Sequence, residues 1–204
     1  MAALAYATTG KTFVTADTHF GHTEACDLFA RPFDNVEEMD DALVERANAV
    51  MGPDDLLYHI GDFVGEMADA KERIAHARHI RDRLRVGKII LVRGNHDSRK
   101  HAYADVFDEV HEILSVRGWR DGEHRVVFCH YPLRSWQGNR NGSLHLYGHA
   151  HGRLEEIGRS TDVGVDSWEY APVEIDHVLA MLAEREIKAF PERKQTLQPM
   201  RKGR

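Results

Sequence analysis

The sequence predicts a mixed α/β fold in which a sandwich of mixed β-sheets is flanked by helices. Short apolar runs of strand length alternate with longer segments of helical periodicity, and two later runs form a predicted hairpin, residues 112–117 with 123–129 around Asp121-Gly122. The predicted strands cover residues 13–16, 56–60, 89–92, 126–129, 144–147 and 163–165. The chain has 204 residues, enough for a sizeable core, and we expect one domain over residues 1–190.

Four helices are predicted between and after these strands. Asn35 caps the first helix, and Glu38 occupies the capping-box position. The second covers residues 66–84, where apolar residues recur at helical spacing, and a shorter one covers residues 102–110. Pro172 precedes the last helix, which has a single apolar face.

The composition excludes several classes of protein. Hydrophobic residues make up 42% of the chain and charged residues 29%, which excludes wholesale disorder. No uncharged apolar run approaches the roughly 18 residues that a membrane span requires. No positive charge precedes Lys11 and no signal-type apolar core follows, so we expect a cytoplasmic protein. Cys26 and Cys129 are too few for a disulfide framework or a multi-thiolate zinc site.

The last residues differ in charge from the rest of the chain. Residues 192–204 hold five Lys or Arg against one Glu, so they carry +4 of the net −6 and the remainder carries −10. We expect residues 191–204 to form a flexible basic tail, with nucleic-acid contact as the alternative. The acidic body disfavours binding of long nucleic acids.

Five polar clusters each follow directly on a predicted strand. They are Asp17-Thr18-His19, Gly61-Asp62, Gly94-Asn95-His96-Asp97, His130-Tyr131-Pro132 and Gly148-His149-Ala150-His151. Ligands of α/β proteins bind in the crevice beyond the carboxyl ends of the strands, so we expect the clusters to converge there. The chain also has 14 histidines, and neutral imidazole is the commonest metal ligand in proteins.

In this order the clusters resemble the motifs of the calcineurin-like metallophosphoesterase superfamily. Its pattern runs Asp-x-His, Gly-Asp, Gly-Asn-His-Asp/Glu, His, then Gly-His-x-His, and all five parts are present within residues 17–151. The stretch Thr-Ala-Asp-Thr-His-Phe-Gly-His and the later Arg-Pro-Phe are similar to a compact microbial branch. The resemblance implies a four-layer sandwich and hydrolysis of phosphate esters.

The resemblance also implies a centre of two divalent cations. The first would be held by Asp17, His19, Asp62 and His151, and the second by Asp62, Asn95, His130 and His149, with Asp62 bridging. A bridging carboxylate can hold two cations at the roughly 3.5–4 Å separation of two-metal hydrolases. Manganese or iron is expected first, and zinc, nickel and cobalt also suit these ligands.

The family mechanism assigns further roles. A metal-bridging hydroxide would attack phosphorus in line, while the cations neutralise developing charge. His96 would donate a proton to the leaving oxygen. Asp97 would either orient a nearby imidazole or only stabilise its turn, and both interpretations stay open.

Other residues are predicted from their position or charge. His22 lies near the first cluster and is a candidate substrate contact. A guanidinium matches paired phosphate oxygens, which makes Arg31, Arg93 and Arg134 candidate phosphate clamps, with surface ion pairs as the alternative. His59 lies inside the strand before Asp62, and we expect it to be packed.

We expect a small phosphorylated substrate, nucleotides included, and no membrane partner. Little chain remains for a capping domain, and an open site suits phosphodiesters or nucleotide-like substrates better than bulky phosphoproteins. The alternatives are a non-catalytic binding scaffold that retains the fold, or a nuclease. The complete ligand set weighs against the scaffold, and the acidic body weighs against the nuclease. The sequence leaves the oligomeric state open.

Overall fold

Two five-stranded mixed sheets form the centre of the computed structural model, which describes residues 3–4, 9–67, 69–119 and 124–187. The strands are β1 Ala3–Leu4, β2 Thr12–Thr15, β3 Leu56–His59, β4 Lys88–Val92, β5 Glu109–His111, β6 Ile113–Trp119, β7 His124–Cys129, β8 Leu144–Tyr147, β9 Ser160–Asp162 and β10 Val173–Glu174. The helices are α1 Ala25–Phe29, α2 Val36–Val50, α3 Ala70–Arg83 and α4 Ile175–Ala183. Sheet I has the order β10-β2-β3-β4-β5, and sheet II has the order β1-β6-β7-β8-β9.

Sheet I aligns the ends of its central strands. β2 to β5 run parallel, and β10 adds antiparallel to β2. The crossovers between β2, β3 and β4 contain α2 and α3, as parallel strands require. Thr15 pairs with His59, which in turn pairs with Leu91, so the three strands end at one level. Three of the polar clusters therefore begin at the same sheet edge.

Sheet II brings the other two clusters together. β6 and β7 form the predicted antiparallel hairpin, while β7, β8 and β9 run parallel to one another. The loops after β7 and β8 leave in the same direction, and the backbone N–H of Gly148 donates to the carbonyl of His130 over 3.0 Å. The predicted hairpin turn at Asp121-Gly122 and the predicted basic tail lie outside the described residues.

Side-chain caps set the starts of the two long helices. The Asn35 side chain accepts from the backbone N–H of Glu38, and the Glu38 carboxylate accepts from that of Asp34, so α2 begins as predicted. Asp69 accepts from the second and third backbone N–H groups of α3, which therefore begins at Ala70, later than the predicted residue 66. No helix within the described ranges is both long and apolar enough to cross a membrane.

Alternation along the strands builds two hydrophobic cores. The face of sheet I that carries Leu57 and Ile89 packs under α2 and α3. The opposite face packs against sheet II, where the rings of Tyr58 and Phe128 stack with their centroids 4.7 Å apart. The apolar face of α4 joins this second core, and α4 contacts strands of both sheets. The strands that carry the polar clusters are therefore packed on both faces of sheet I.

The outer face of sheet II is covered by the segment 131–143, which contains a short 3-10 helix, Asn139–Asn141. His145, buried on β8, donates from Nδ1 to the carbonyl of Val127 and accepts from the backbone N–H of Leu133. Trp136 lies beside the His145 ring, with centroids 5.2 Å apart. The predicted sandwich flanked by helices is confirmed, with this segment and its 3-10 helix as the outer layer of sheet II.

Two of the secondary-structure elements predicted from the sequence are wrong. Residues 102–110 are not an α-helix: a 3-10 helix, Lys100–Tyr103, is followed by β5, because pairing with β4 and burial of Tyr103 and Phe107 override local propensity. The last predicted strand lies earlier, at β9, because Ser160–Asp162 pairs with β8 while Val165 begins a 3-10 turn. The sequence analysis did not predict α1.

Candidate metal centre and active site

The loops that follow β2 and β3 run side by side beyond the end of sheet I. The backbone N–H of Asp17 donates to the carbonyl of Gly61 over 2.9 Å, and that of His19 donates to the carbonyl of Asp62 over 3.0 Å. The backbone N–H of His149 reaches across from sheet II and donates to both carboxylate oxygens of Asp17, at 3.0 and 2.8 Å. The polar clusters of both sheets therefore meet at one place.

The backbone at this place is strained. The left-handed region is occupied by Asp17, His19, Asp62, His149 and His151, with φ of 55°, 51°, 53°, 69° and 48°. This conformation costs a residue with a side chain about 1–2 kcal/mol. All five are predicted metal ligands, so the fold stores strain where their side chains must converge.

Two glycines make the close approach of these loops feasible. A Cβ at Gly94 would collide with the carboxylate of Asp62, and a Cβ at Gly148 would collide with that of Asp17. Both glycines belong to the clusters identified from the sequence. A side chain at either position would push a buried carboxylate out of place.

Asp17, His19 and His151 form an inner group of donors. One donor atom from each lies within 4.8 Å of those of the other two. Asp17 and His19 are 0% and 1% exposed, and His19 Nε2 is buried with no hydrogen-bond partner among the described residues. Burial lowers the pKa of His19 to about 2, so the ring stays neutral, as a metal ligand must. The inner group therefore fits a cation.

Asp62, His130 and His149 form an outer group with the same spacing of donor atoms. His130 Nδ1 donates to the carbonyl of Ile60 over 2.9 Å, which directs Nε2 toward Asp62 Oδ2 at 3.3 Å and Asn95 Oδ1 at 3.2 Å. Asp62 and His130 are buried, whereas Asn95 and His149 are exposed. All four residues predicted for the second cation are therefore neighbours.

Asp62 connects the two groups. Its Oδ2 lies 3.6 Å from His19 Nε2 and 3.3 Å from His130 Nε2, so a single buried oxygen faces ligands of both groups. Its other oxygen, Oδ1, accepts from the backbone N–H of His96 over 2.9 Å. This is the placement that a bridging carboxylate requires.

The two buried carboxylates of the site, Asp17 and Asp62, differ in how far the protein compensates their charge. Burial raises the pKa of Asp17 well above its usual range, and the nearby Asp62 raises it further. Burial alone would also raise the pKa of Asp62, but the hydrogen bond and charge of His130 hold it below its usual range. The same pair raises the pKa of His130 to about 9 against the effect of burial. A divalent cation beside Asp17 would favour its ionised form.

His96 stands beside both groups without belonging to the predicted ligand sets. Its ring centroid lies 5.0 Å from that of His19 and 5.7 Å from that of His22, and the residue is half-buried. A donor atom of His96 also lies within 4.8 Å of donors from His19 and Asp62. A substrate that reaches the metal ligands would therefore also reach His96.

Comparison with known proteins fits this geometry. The calcineurin-like phosphoesterase family matches the chain over residues 10–185. The chain belongs to this family. Members of this family typically bind divalent metals, and the two groups described above are candidate ligand clusters for them.

The chain is also similar to individual proteins whose names give no activity. An uncharacterized protein of Methanocaldococcus jannaschii is 29% identical over 184 residues, which cover 87% of this chain and 94% of that protein. The gene 66 protein of Mycobacterium phage L5 is 27% identical over 185 residues, covering 77% and 87% of the two chains. The crystal structure of an Aquifex aeolicus protein of unknown function superposes with a TM-score of 0.63 at 21% identity, covering 84% and 98%, and shows the shared fold.

Asp97 stabilises the turn of the calcineurin-like Gly-Asn-His-Asp motif. Its carboxylate accepts from the backbone N–H groups of Asp62, Phe63 and Gly94, at 2.8, 3.1 and 2.8 Å. Burial, with the nearby Asp62, raises its pKa to about 6. Of the two interpretations left open by the sequence, these contacts support stabilisation of the turn.

The four predicted substrate contacts differ in their placement. His22 is buried, with Nδ1 3.3 Å from His19 Nδ1, so it adjoins the inner group. Arg134 is exposed, in the segment after β7. Arg93 contacts Glu112 over 3.3 Å and the carbonyl of Ser98 over 3.1 Å. The Arg31 guanidinium is fully buried among protein acceptors, which gives its predicted role as a phosphate clamp no support.

His59 is packed, as predicted. It is 1% exposed, and its Nε2 lies 3.0 Å from the Thr18 hydroxyl, which donates to the carbonyl of Phe63. Burial lowers the pKa of His59 to about 3, so the ring is neutral. Its contact with Thr18 helps to fix the loop between Asp17 and His19.

The sequence analysis missed two residues beside the inner group. Asp166 accepts from His151 Nδ1 over 2.7 Å, and the ring of Phe29 stacks on that of His151 with centroids 3.6 Å apart. Asp166 follows the predicted strand 163–165, so the strand-end rule that found the five clusters would have included it. Phe29 lies on α1, and no local pattern marks it.

Proposed function

We propose that the protein is a dinuclear metal-dependent phosphoesterase acting on small phosphodiester or nucleotide-like substrates. The observation that carries this proposal is the position of Asp62 Oδ2 between His19 Nε2 and His130 Nε2. One cation would be held by Asp17, His19, Asp62 and His151, and the other by Asp62, Asn95, His130 and His149. We propose manganese or iron as the cations, since this mixed oxygen and nitrogen set accepts both and selectivity among divalent metals depends on availability more than on affinity.

When bound, the cations would lower the pKa of a water molecule and neutralise charge on the phosphoryl group. Asp62 would keep its ionised carboxylate shared between both groups, held in place by the backbone N–H of His96. The neutral rings of His19 and His149 would present lone pairs, because burial lowers the pKa of His19, and partial desolvation together with the nearby His130 lowers that of the more exposed His149. His96 would donate a proton to the leaving oxygen. Its ring lies beside that of His19, and the residue is only half-buried, so a substrate can reach it.

The shape of the site supports substrates with two substituents on phosphorus. Asn95 and His149 are exposed, so phosphoryl oxygens can approach the outer group from solvent. Tyr131 lies beside His149, with ring centroids 4.9 Å apart, and its side chain is 46% exposed. The second substituent of a diester, such as a nucleoside, can lie against this ring.

The test is hydrolysis of an aryl phosphodiester by the manganese-loaded protein. We expect turnover with manganese, none after chelation, and a roughly 10²–10⁴-fold lower kcat in His96→Ala with unchanged metal content. His177→Ala, which changes an exposed histidine on α4, is the matched control and should retain full activity. Undiminished turnover in His96→Ala would remove the proton donor from the proposal.

A substrate panel separates the enzyme from a scaffold of the same fold. The panel contains phosphomonoesters, diesters, cyclic nucleotides and dinucleoside polyphosphates, each with several metals. Tightly bound cations without hydrolysis of any member would favour a binding protein. Cleavage of oligonucleotides that is lost when residues 191–204 are deleted would favour the nuclease.

A further inference from the structure

Arg31 and Asp166 form a buried ion pair next to the inner group. Arg31 Nε donates to Asp166 Oδ1 over 2.8 Å, and a terminal nitrogen of the same guanidinium donates to Asp166 Oδ2 over 2.9 Å. The Arg31 side chain is 0% exposed and that of Asp166 is 8% exposed. A bidentate pair in this environment is strongly oriented, because both planar groups are fixed at two points.

The pair reaches two predicted ligands of one cation. Asp166 Oδ2 lies 2.7 Å from His151 Nδ1. The Arg31 guanidinium also donates to the backbone carbonyls of Asp17, over 2.6 Å, and Thr18, over 2.9 Å. Asp17 follows β2 of sheet I and His151 follows β8 of sheet II. The pair therefore connects the two sheets at the point where their ligands meet.

The contact with Asp166 determines which nitrogen of His151 carries the proton. An ionised carboxylate only accepts hydrogen bonds, so the nitrogen facing it at 2.7 Å is the protonated Nδ1. Nε2 then holds the lone pair that a cation needs. The Phe29 ring, stacked on His151 with an interplanar angle of 11°, restricts rotation of the imidazole.

We propose that Asp166 and Arg31 are positioning residues that hold His151 in its Nδ1–H tautomer and fix Asp17 beside it. Arg31 is thus a part of the scaffold of the inner group and not a phosphate clamp. The effect on cation affinity rests on the proposed function, whereas the tautomer of His151 is a property of the metal-free protein. Loss of such an outer partner typically weakens metal binding about 10–100-fold.

The experiment records the His151 tautomer in metal-free protein labelled with ¹⁵N-histidine. Long-range ¹H–¹⁵N correlation, at a pH above the ordinary imidazole pKa of about 6.5, distinguishes protonated from unprotonated ring nitrogens. We expect wild-type His151 to carry its proton on Nδ1. Asp166→Ala should give a mixture of tautomers, and Asp166→Asn, whose amide oxygen can still accept, should restore the Nδ1–H form.

Manganese titration is the second readout on the same proteins. Asp166→Ala should bind manganese at the inner group about 10–100-fold more weakly than wild type. Arg31→Lys, which keeps the charge but loses the bidentate geometry, should fall between wild type and Asp166→Ala. Asp40→Asn is the matched control, since Asp40 is also buried, accepts from the backbone N–H of Gly21 and lies 3.0 Å from Nε2 of a different histidine, His76. It should lower the melting temperature and leave the tautomer of His151 unchanged.

The outcomes separate this inference from the proposed function. An Nε2–H tautomer in the wild-type protein, or an unchanged tautomer in Asp166→Ala, would overturn the positioning role. If Asp166→Ala does not fold, an unchanged manganese affinity in Arg31→Lys overturns it equally. A correct tautomer pattern in a wild-type protein that binds no manganese would support the tautomer inference while removing the proposed function.

Discussion

The inner and outer groups of the site share Asp62 but are built differently. Asp17 and His19 of the inner group are almost completely buried. The buried Arg31–Asp166 pair contacts the backbone of Asp17 and the ring of His151. In the outer group His149 is exposed, as is the neighbouring Asn95. Buried, supported ligands keep their geometry without a cation, whereas exposed ones can exchange with water. On the proposed function, we therefore expect an inner cation to be bound more tightly and an outer cation to exchange more readily.

The largest effect is expected for Asp62→Ala, because this substitution removes the residue that both groups share. We expect loss of both cations and a decrease in kcat larger than the roughly 10²–10⁴-fold attributed to a lost proton donor. Metal analysis and hydrolysis of an aryl phosphodiester measure the two effects. Asp41→Ala, an exposed aspartate on α2, is the control and should change neither. Retention of both cations in Asp62→Ala would contradict the bridging role.

Substitution of one histidine from each group sharpens the comparison. His19→Ala removes a buried ligand whose place between Asp17 and Asp62 is closed to solvent, so we expect the inner cation to be lost. His149→Ala removes an exposed ligand that water can replace, so the outer cation should bind more weakly yet remain detectable. Manganese binding isotherms of both variants decide the question. Equal losses of manganese affinity in the two variants would show that burial of the ligands does not distinguish the two groups.

Removal of the cations should also lower the stability of the folded protein. Burial raises the pKa of the Asp17 carboxyl, and Asp62 lies close to it, so bound cations would offset the repulsion between the two ionised carboxylates. A ligand at 100 times its Kd stabilises the folded state by about 2.7 kcal/mol. Thermal denaturation with and without a chelator measures this effect, and a melting temperature unaffected by chelation would argue against cations at the inner group.

The prediction with the smallest effect concerns the exposed side of the site. If Arg134 contacts the substrate, Arg134→Ala should raise KM about two- to fivefold, because an exposed charge contact contributes up to about 1 kcal/mol. Metal content should not change. Arg140→Ala, in the same exposed segment, is the matched control. A decrease in kcat without a change in KM would assign Arg134 a different role.

The placement of the site could be predicted from the sequence because parallel strands end at a common edge. The clusters after β2, β3 and β4 were predicted to converge on this principle alone, and the structure places them in contact. The long α2 was predictable in the same way, since its cap and its periodicity are local features.

Other features depend on contacts between distant segments and were not predictable. β5 forms where periodicity favours a helix, because its partner β4 is fixed by the rest of sheet I. The burial of Arg31 depends on Asp166, 135 residues later in the sequence, so the sequence alone suggested a surface or substrate-binding arginine. The left-handed φ angles of the ligands likewise result from the meeting of loops from two sheets.

Stepwise addition of manganese to the metal-free protein tests the central claim most directly. Bound manganese and hydrolysis of an aryl phosphodiester are followed in the same samples. The inner and outer groups predict two binding steps of different affinity, with activity appearing as the weaker site fills. Full activity with a single bound cation, or two bound cations without hydrolysis of any member of the substrate panel, would contradict a dinuclear phosphoesterase.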